Sequence, residues 1–221
     1  MAVIEGGVSA ALMGVGAEAA VAAHFTAKPI AHGSLGHYQV ARRFALINAQ
    51  AANAILVAFR NTSANPAVLM RLRMFLLQTT APTAAIEVRL SATAARSYSA
   101  SDATNSTALT LTGNNAKKRS TMGTSGVEIR ETTVAAGATG GTKTLDADKF
   151  ATLAMWETAV VPTAGPVPDA LYEYKPSLGD GGHPFVFANN EGFIVMNDAV
   201  LGAAAAGILY YEIDWAEVAA F

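Results

Sequence analysis

The chain of 221 residues has no cysteine and few charges, and its charges of opposite sign nearly cancel. Without cysteine it can form no disulfide, thiolate nucleophile or cysteine-bound zinc site, so any metal ligands must be histidine or carboxylate. Charged residues make up 14% of the sequence, against roughly 25% in an average soluble chain. The net charge of −2 and the isoelectric point near 6.1 provide no overall field to draw in nucleic acid or an anionic membrane. The only stretch resembling a targeting or membrane segment, VSAALMGVGAEAAVAA at residues 8–23, is short for a membrane span, contains Glu18 and lacks the basic start of a signal peptide. A soluble, unexported protein with no membrane partner is expected.

The hydrophobic fraction is 52%, much of it alanine. Such a surface is smooth and weakly charged, and proteins of that kind associate unless neighbours cover their apolar area. The length suits one large domain that buries roughly 70% of its unfolded surface. Residues 1–40 are rich in Ala and Gly, carry His24, His32 and His37, and show no steady apolar period. They are expected to form an extended arm, with a short helical piece near Ala17 to Ala23, that gains order by lying on something else.

Residues 41–221 form the body. In LMRLRMFLLQ (69–78), Leu72, Met74 and Leu76 alternate with Arg71 and Arg73, the period of a strand with one wet face. The same alternation runs through Ile86, Val88 and Leu90, through Val127 and Ile129, and through Leu209, Tyr211, Ile213 and Trp215. AILVAFR, TALTLTG, ALYEY, PFVFA and FIVMN add short candidate strands bounded by Gly, Pro, Asn or Ser. Nine or ten short strands with no long amphipathic helix predict an all-β fold, an antiparallel β-sandwich of jelly-roll-like or Greek-key type. SYSASDATNST and TTVAAGATGGTKT are long polar loops with nothing to bury. They are expected to lie outside or to reach a neighbouring subunit.

Candidate chemistry is sparse. Asn189, Asn190 and Gly192 between PFVF and FIVM predict a tight hairpin connection, and His183 stands at a strand entrance with no nameable partner to orient it as a base. His24, His32 and His37 do not have the spacing of paired metal ligands. Gly123-Thr124-Ser125-Gly126 lacks the spacing of a nucleophile elbow. Asp146 and Asp148 lack the rest of a calcium loop, and are expected to cap a short helix, DKFATLAMW. Lys117, Lys118 and Arg119 form the one basic run, on a loop without interleaved aromatics. Three charges there could hold a phosphate or an acidic patch on another chain, although most such runs are simply solvated, and nucleic-acid binding would need more basic residues nearby. Neither enzyme activity nor a cofactor is expected.

The segments ARSYSASDATNSTALTLTGNNAKKRSTMGTS, VEIRETTVAAGATGGTKTLDA, HPFVFANNEGFIV and IDWAEV together resemble a family of virion structural proteins of tailed bacteriophages, of the capsid decoration (cement or minor capsid) type. The likeness runs from about Gly36 to the C terminus. It implies a non-enzymatic protein, assembled in the host cytoplasm, that sits on the outer capsid surface of the virion and stabilises the shell by bridging capsomers. Its partners would be the major capsid protein and further copies of itself, as a homotrimer matching a threefold lattice site. Contacts are expected from the arm, through Val8, Leu12, Phe25 and Ile30, and from Lys117, Lys118 and Arg119. Two other readings stand beside this one: a different virion component (head fibre, tail or baseplate), or a carbohydrate-binding module using Trp156, Trp215, Tyr172 or Tyr174.

Overall fold

A computed structural model describes residues 3–6, 11–14, 35–80, 84–157, 159, 170–176, 183–202 and 206–219. These contain fourteen strands and no helix: β1 (Val3–Gly6), β2 (Ala11–Gly14), β3 (Gly36–Ala45), β4 (Ala54–Asn61), β5 (Ala67–Thr80), β6 (Ile86–Tyr98), β7 (Ser106–Ala108), β8 (Val127–Thr132), β9 (Lys143–Leu145), β10 (Ala151–Glu157), β11 (Ala170–Tyr174), β12 (Val186–Phe187), β13 (Gly192–Asn197) and β14 (Ala206–Glu217). All pairings are antiparallel. One sheet has the order β10-β6-β13-β4-β8-β7, with β9 also on β6. The other has the order β11-β5-β14-β3, with β12 also on β5. β1 and β2 pair only with each other. The two large sheets pack as a β-sandwich, and β3 brings Gly36–Val40 of the expected arm segment into it.

Alternation in the sequence builds the core. Leu72, Met74 and Leu76 of β5 and Leu209, Tyr211, Ile213 and Trp215 of β14 face Val57, Phe59, Val88, Leu90, Phe193 and Ile129 of the opposite sheet. Each large side chain removed from water contributes about 1.5–3 kcal/mol. At the centre Trp215 stacks on Tyr38 at 5.5 Å between ring centroids and meets Phe59 edge-on at 5.7 Å, while Phe59 stacks on Phe193 at 4.9 Å. Such aromatic pairs add about 0.5–1.5 kcal/mol beyond their burial, and the Trp215–Phe59 pair joins the two sheets.

Four expectations are corrected. DKFATLAMW is not a capped helix: β10 buries Ala151, Leu153, Met155 and Glu157 and exposes Thr152, Ala154 and Trp156, a period of two. Residues 188–192 do not close a hairpin within one sheet. They turn the chain from β12, on β5, to β13, on β4 and β6. The turn itself is as tight as anticipated, with Asn190 at φ 63° and Glu191 N–H donating to Ala188 O at 3.0 Å. Gly192 follows because a Cβ there would lie 1.9 Å from Phe59 O. TALTLTG is strand only as far as Ala108. Finally, the long loops do bury something. They meet at a bridge between Thr104 and Thr139, and cover a second apolar cluster of Ala58, Ala95, Tyr98, Ile194 and Met196 on the outer face of the larger sheet.

That cover is fastened chemically. Ala138 N–H donates to Ile55 O, Ser101 Oγ donates to Glu128, and Tyr98 Oη reaches Phe59 O and Phe193 O. Lys143 Nζ lies 2.5 Å from Asp102 Oδ1, with the two side chains 10% and 0% exposed. Burial raises the Asp102 carboxyl above its ordinary range, and Lys143 only partly offsets it.

Candidate functional site

The outer face of the smaller sheet lacks such a cover among the described residues. The register places Leu171, Phe75, Tyr210 and Arg43 side by side across β11, β5, β14 and β3. Phe75 and Tyr210 stack at 4.5 Å and 3°, half-buried, and Leu171 is 57% exposed. The next row is Glu173, Arg73, Glu212 and Ala41, and the one after it Arg71, Asp214 and Gln39. An apolar strip thus runs beside a charged one. Arg73, Phe75, Tyr210, Glu212 and Arg43, with the small Ala41, line an open groove of about 310 Å³.

The charged strip is largely neutralised from within. Arg71 contacts Glu212 and lies 3.2 Å from Asp214, and Lys118 Nζ lies 2.9 Å from the other Asp214 oxygen. Gln39 also donates to Glu212. Arg43 and Arg73 are exposed and have no ion pair among the described residues. The groove therefore has an aromatic floor, two available guanidiniums and already engaged carboxylates. It suits an apolar surface that carries an acidic group.

Beside this face lies the edge of β3. Gln39 N–H donates to Ala116 O at 2.7 Å and Lys118 N–H to His37 O at 3.0 Å, so the basic loop pairs with the first part of the edge. The loop is tied down further along. Tyr38 Oη donates to Gly123 O, Trp215 Nε1 donates to Ser125 Oγ, and Ser125 Oγ donates to Glu217. Beyond Gln39, a second groove of about 510 Å³ separates β3 from residues 107–111. At its base Arg42 makes a bidentate pair with Glu131, at 2.9 and 3.2 Å, and Tyr211 Oη donates to the same carboxylate at 2.6 Å. Burial, then the Glu131 charge, pushes the Tyr211 hydroxyl up, so it remains a donor. Its hydrogen bonds to Glu131 hold the Arg42 guanidinium above its usual range.

Of the residues singled out from sequence, Val8, Phe25 and Ile30 lie outside the described residues, as do His24 and His32. Leu12 lies in β2, opposite Glu5. Lys117 forms a bridge with Tyr38. Lys118 is committed to Asp214, whereas Arg119 is exposed. The basic run is therefore a stitched flap on β3 rather than a free loop, with Lys117 and Arg119 its available cations. His183 is exposed at the entrance to β12. No group of three or more metal-ligating side chains forms among the described residues.

Phe75, Tyr210, Leu171, Arg43 and Arg73 were not singled out. Their signal was present: Phe75 shares the wet face of its strand with Arg71 and Arg73, and Tyr210 shares its face with Glu212 and Asp214. Aromatics on the polar side of two strands mark a surface with something to meet. Compared with known protein families, with characterised proteins and with solved structures, the chain matches none.

Proposed function

We propose that this chain is a non-enzymatic structural protein of a tailed-bacteriophage virion that binds the outer capsid surface as a homotrimer and stabilises the shell by bridging capsomers. One observation carries the reading: on the larger sheet the chain's own loops seal the outward apolar cluster of Ala58, Tyr98, Ile194 and Met196, while on the smaller sheet Phe75, Tyr210 and Leu171 lie uncovered beside Arg43 and Arg73. A contiguous apolar strip left uncovered beside unpaired cations is suited to contact with another subunit or a shell. The sequence resemblance and the low charge content support the same reading. The partners are the major capsid protein and other copies of the chain.

The test is mass in solution together with co-sedimentation on phage particles that lack the protein. A trimer that binds particles, and that Tyr210→Asp with Phe75→Ser releases, is the expected result. A solitary monomer with no affinity for particles overturns the proposal.

A carbohydrate-binding module is the second reading, favoured by Trp156, which is 65% exposed on β10. Its other aromatics are engaged: Trp215 is fully buried, Tyr172 Oη donates to Phe150 O, and Tyr174 Oη accepts from Phe185 N–H. Glycan binding lost in Trp156→Ala would establish it.

A further inference from the structure

The β1–β2 hairpin and the outer edge of β3 are each incomplete as sheet. β1 and β2 pair over four residues and with no other described strand. A two-stranded ribbon of that size is marginal in water and needs a sheet to join. β3 pairs with β14 from Gly36 to Ala45, but on its other side the basic flap reaches only His37 to Gln39. Backbone polar groups alternate in direction along a strand, so Ala41, Arg43 and Ala45 point theirs out of the sheet, as Gln39 does. None of them has a backbone partner there among the described residues. The open run from Ala41 to Ala45 is one residue longer than each strand of the hairpin, and its first two residues, Ala41 and Arg42, line the groove whose other wall is residues 107–111.

We infer that the open edge of β3, Ala41 to Ala45, receives the β1–β2 hairpin of a second copy of this chain as an added strand. The inference rests on the self-association proposed above and names its contact. The chain enters β3 at the end remote from this open run. Leu35, which leads into β3, is bonded through its N–H to Glu217 O at the far end of the strand, and the flap at residues 116–118 occupies the edge in between. A contact between two different surfaces of identical subunits closes into a ring when its rotation is that of a closed symmetry, as in a threefold trimer. The hairpin strands carry one ionisable side chain, Glu5, and the open edge offers Arg43, so the charges are complementary.

The absence of cysteine makes the test direct. Ile4→Cys or Leu12→Cys is combined with Ala41→Cys or Arg43→Cys in the full chain and oxidised mildly. Disulfide-linked dimers and trimers on a non-reducing gel are expected from at least one pair. Monomers with no free thiol would place the hairpin on its own β3, and free thiols in every pair would remove the contact, so either result overturns the inference. Ala41→Pro is the second variant, because proline is tolerated where the N–H points away from the sheet. It should abolish the oligomer mass and leave the melting temperature unchanged. An oligomer that survives both tests sinks this inference alone. A wild-type chain that is already monomeric sinks the self-association reading with it.

Discussion

The two outer faces of the sandwich solve the same problem in opposite ways. On the larger sheet, Ile194, Met196 and Ala58 point away from the main core, and the chain spends two long loops to cover them. On the smaller sheet, Phe75, Tyr210 and Leu171 also point away from the core, and no described segment covers them. Apolar side chains lose little by being exposed singly, but a contiguous strip invites a partner. The sealed face therefore belongs to folding and the open one to association. Substitutions on the two faces should separate these consequences.

The largest effect is expected under the cover. Lys143→Met leaves the Asp102 carboxylate buried without its cation, a change that costs about 3–5 kcal/mol. The loss should appear in urea denaturation and as new protease cleavage in residues 99–104 and 139–143. Its pH dependence has a definite sign. Asp102 already has its folded-state value raised by burial, so its contribution is greatest below the ordinary carboxylate range and falls as pH rises through the folded value. Removing Lys143 raises that value further. The variant's deficit should shrink on acidification from pH 7, and a deficit independent of pH would show that Asp102 is not the group responsible.

The next comparison places one apolar truncation on each face. Ile194→Ala, at a site 1% exposed, should cost about 2–4 kcal/mol. Leu171→Ala should stay within about 0.5 kcal/mol in the isolated chain, yet weaken self-association or particle binding. Equal stability losses at the two sites would mean that the smaller sheet is covered after all.

This difference was half legible in the sequence. β5, β6, β8 and β14 announce themselves because one face of each is wet for at least part of its length, and alternation follows. β13 carries the continuous run FIVM, and all six of its residues are buried. A short unbroken apolar run means a strand covered on both faces. That was the available signal for a second cluster and hence for something folded over it. The polar loops concealed the cover, because their contribution comes from backbone fit rather than apolar content. A Cβ on Gly140 would lie 2.0 Å from Ser101 O, which no count of hydrophobic residues reveals. β10 was misread for a different reason. Asp148 suggests a cap, and Ala, Leu and Met favour a helix, but β6 supplies a ladder from Ile86 to Ala92 that outweighs local propensity. The site was less legible than the fold, since a cross-strand row such as Leu171, Phe75 and Tyr210 exists only once the register is known.

The smallest effect sharpens the boundary between the open face and the flap beside it. Lys118 Nζ and Asp214 form a pair at 2.9 Å with the lysine one-third exposed, so Lys118→Ala should cost only about 0.5 kcal/mol and less at high salt. Arg71 remains to neutralise Asp214, and the flap stays anchored through Tyr38 to Gly123 and through Trp215, Ser125 and Glu217. What should change is local. With its ionic tether gone, the stretch around residues 116–118 opens more often, and hydrogen exchange at Gln39 N–H, which it protects, should quicken while the β3–β14 ladder stays slow. Exchange that quickens along all of β3 would instead make the flap part of the sheet's own stability, and the division between a folded body and an edge kept for partners would have to be redrawn.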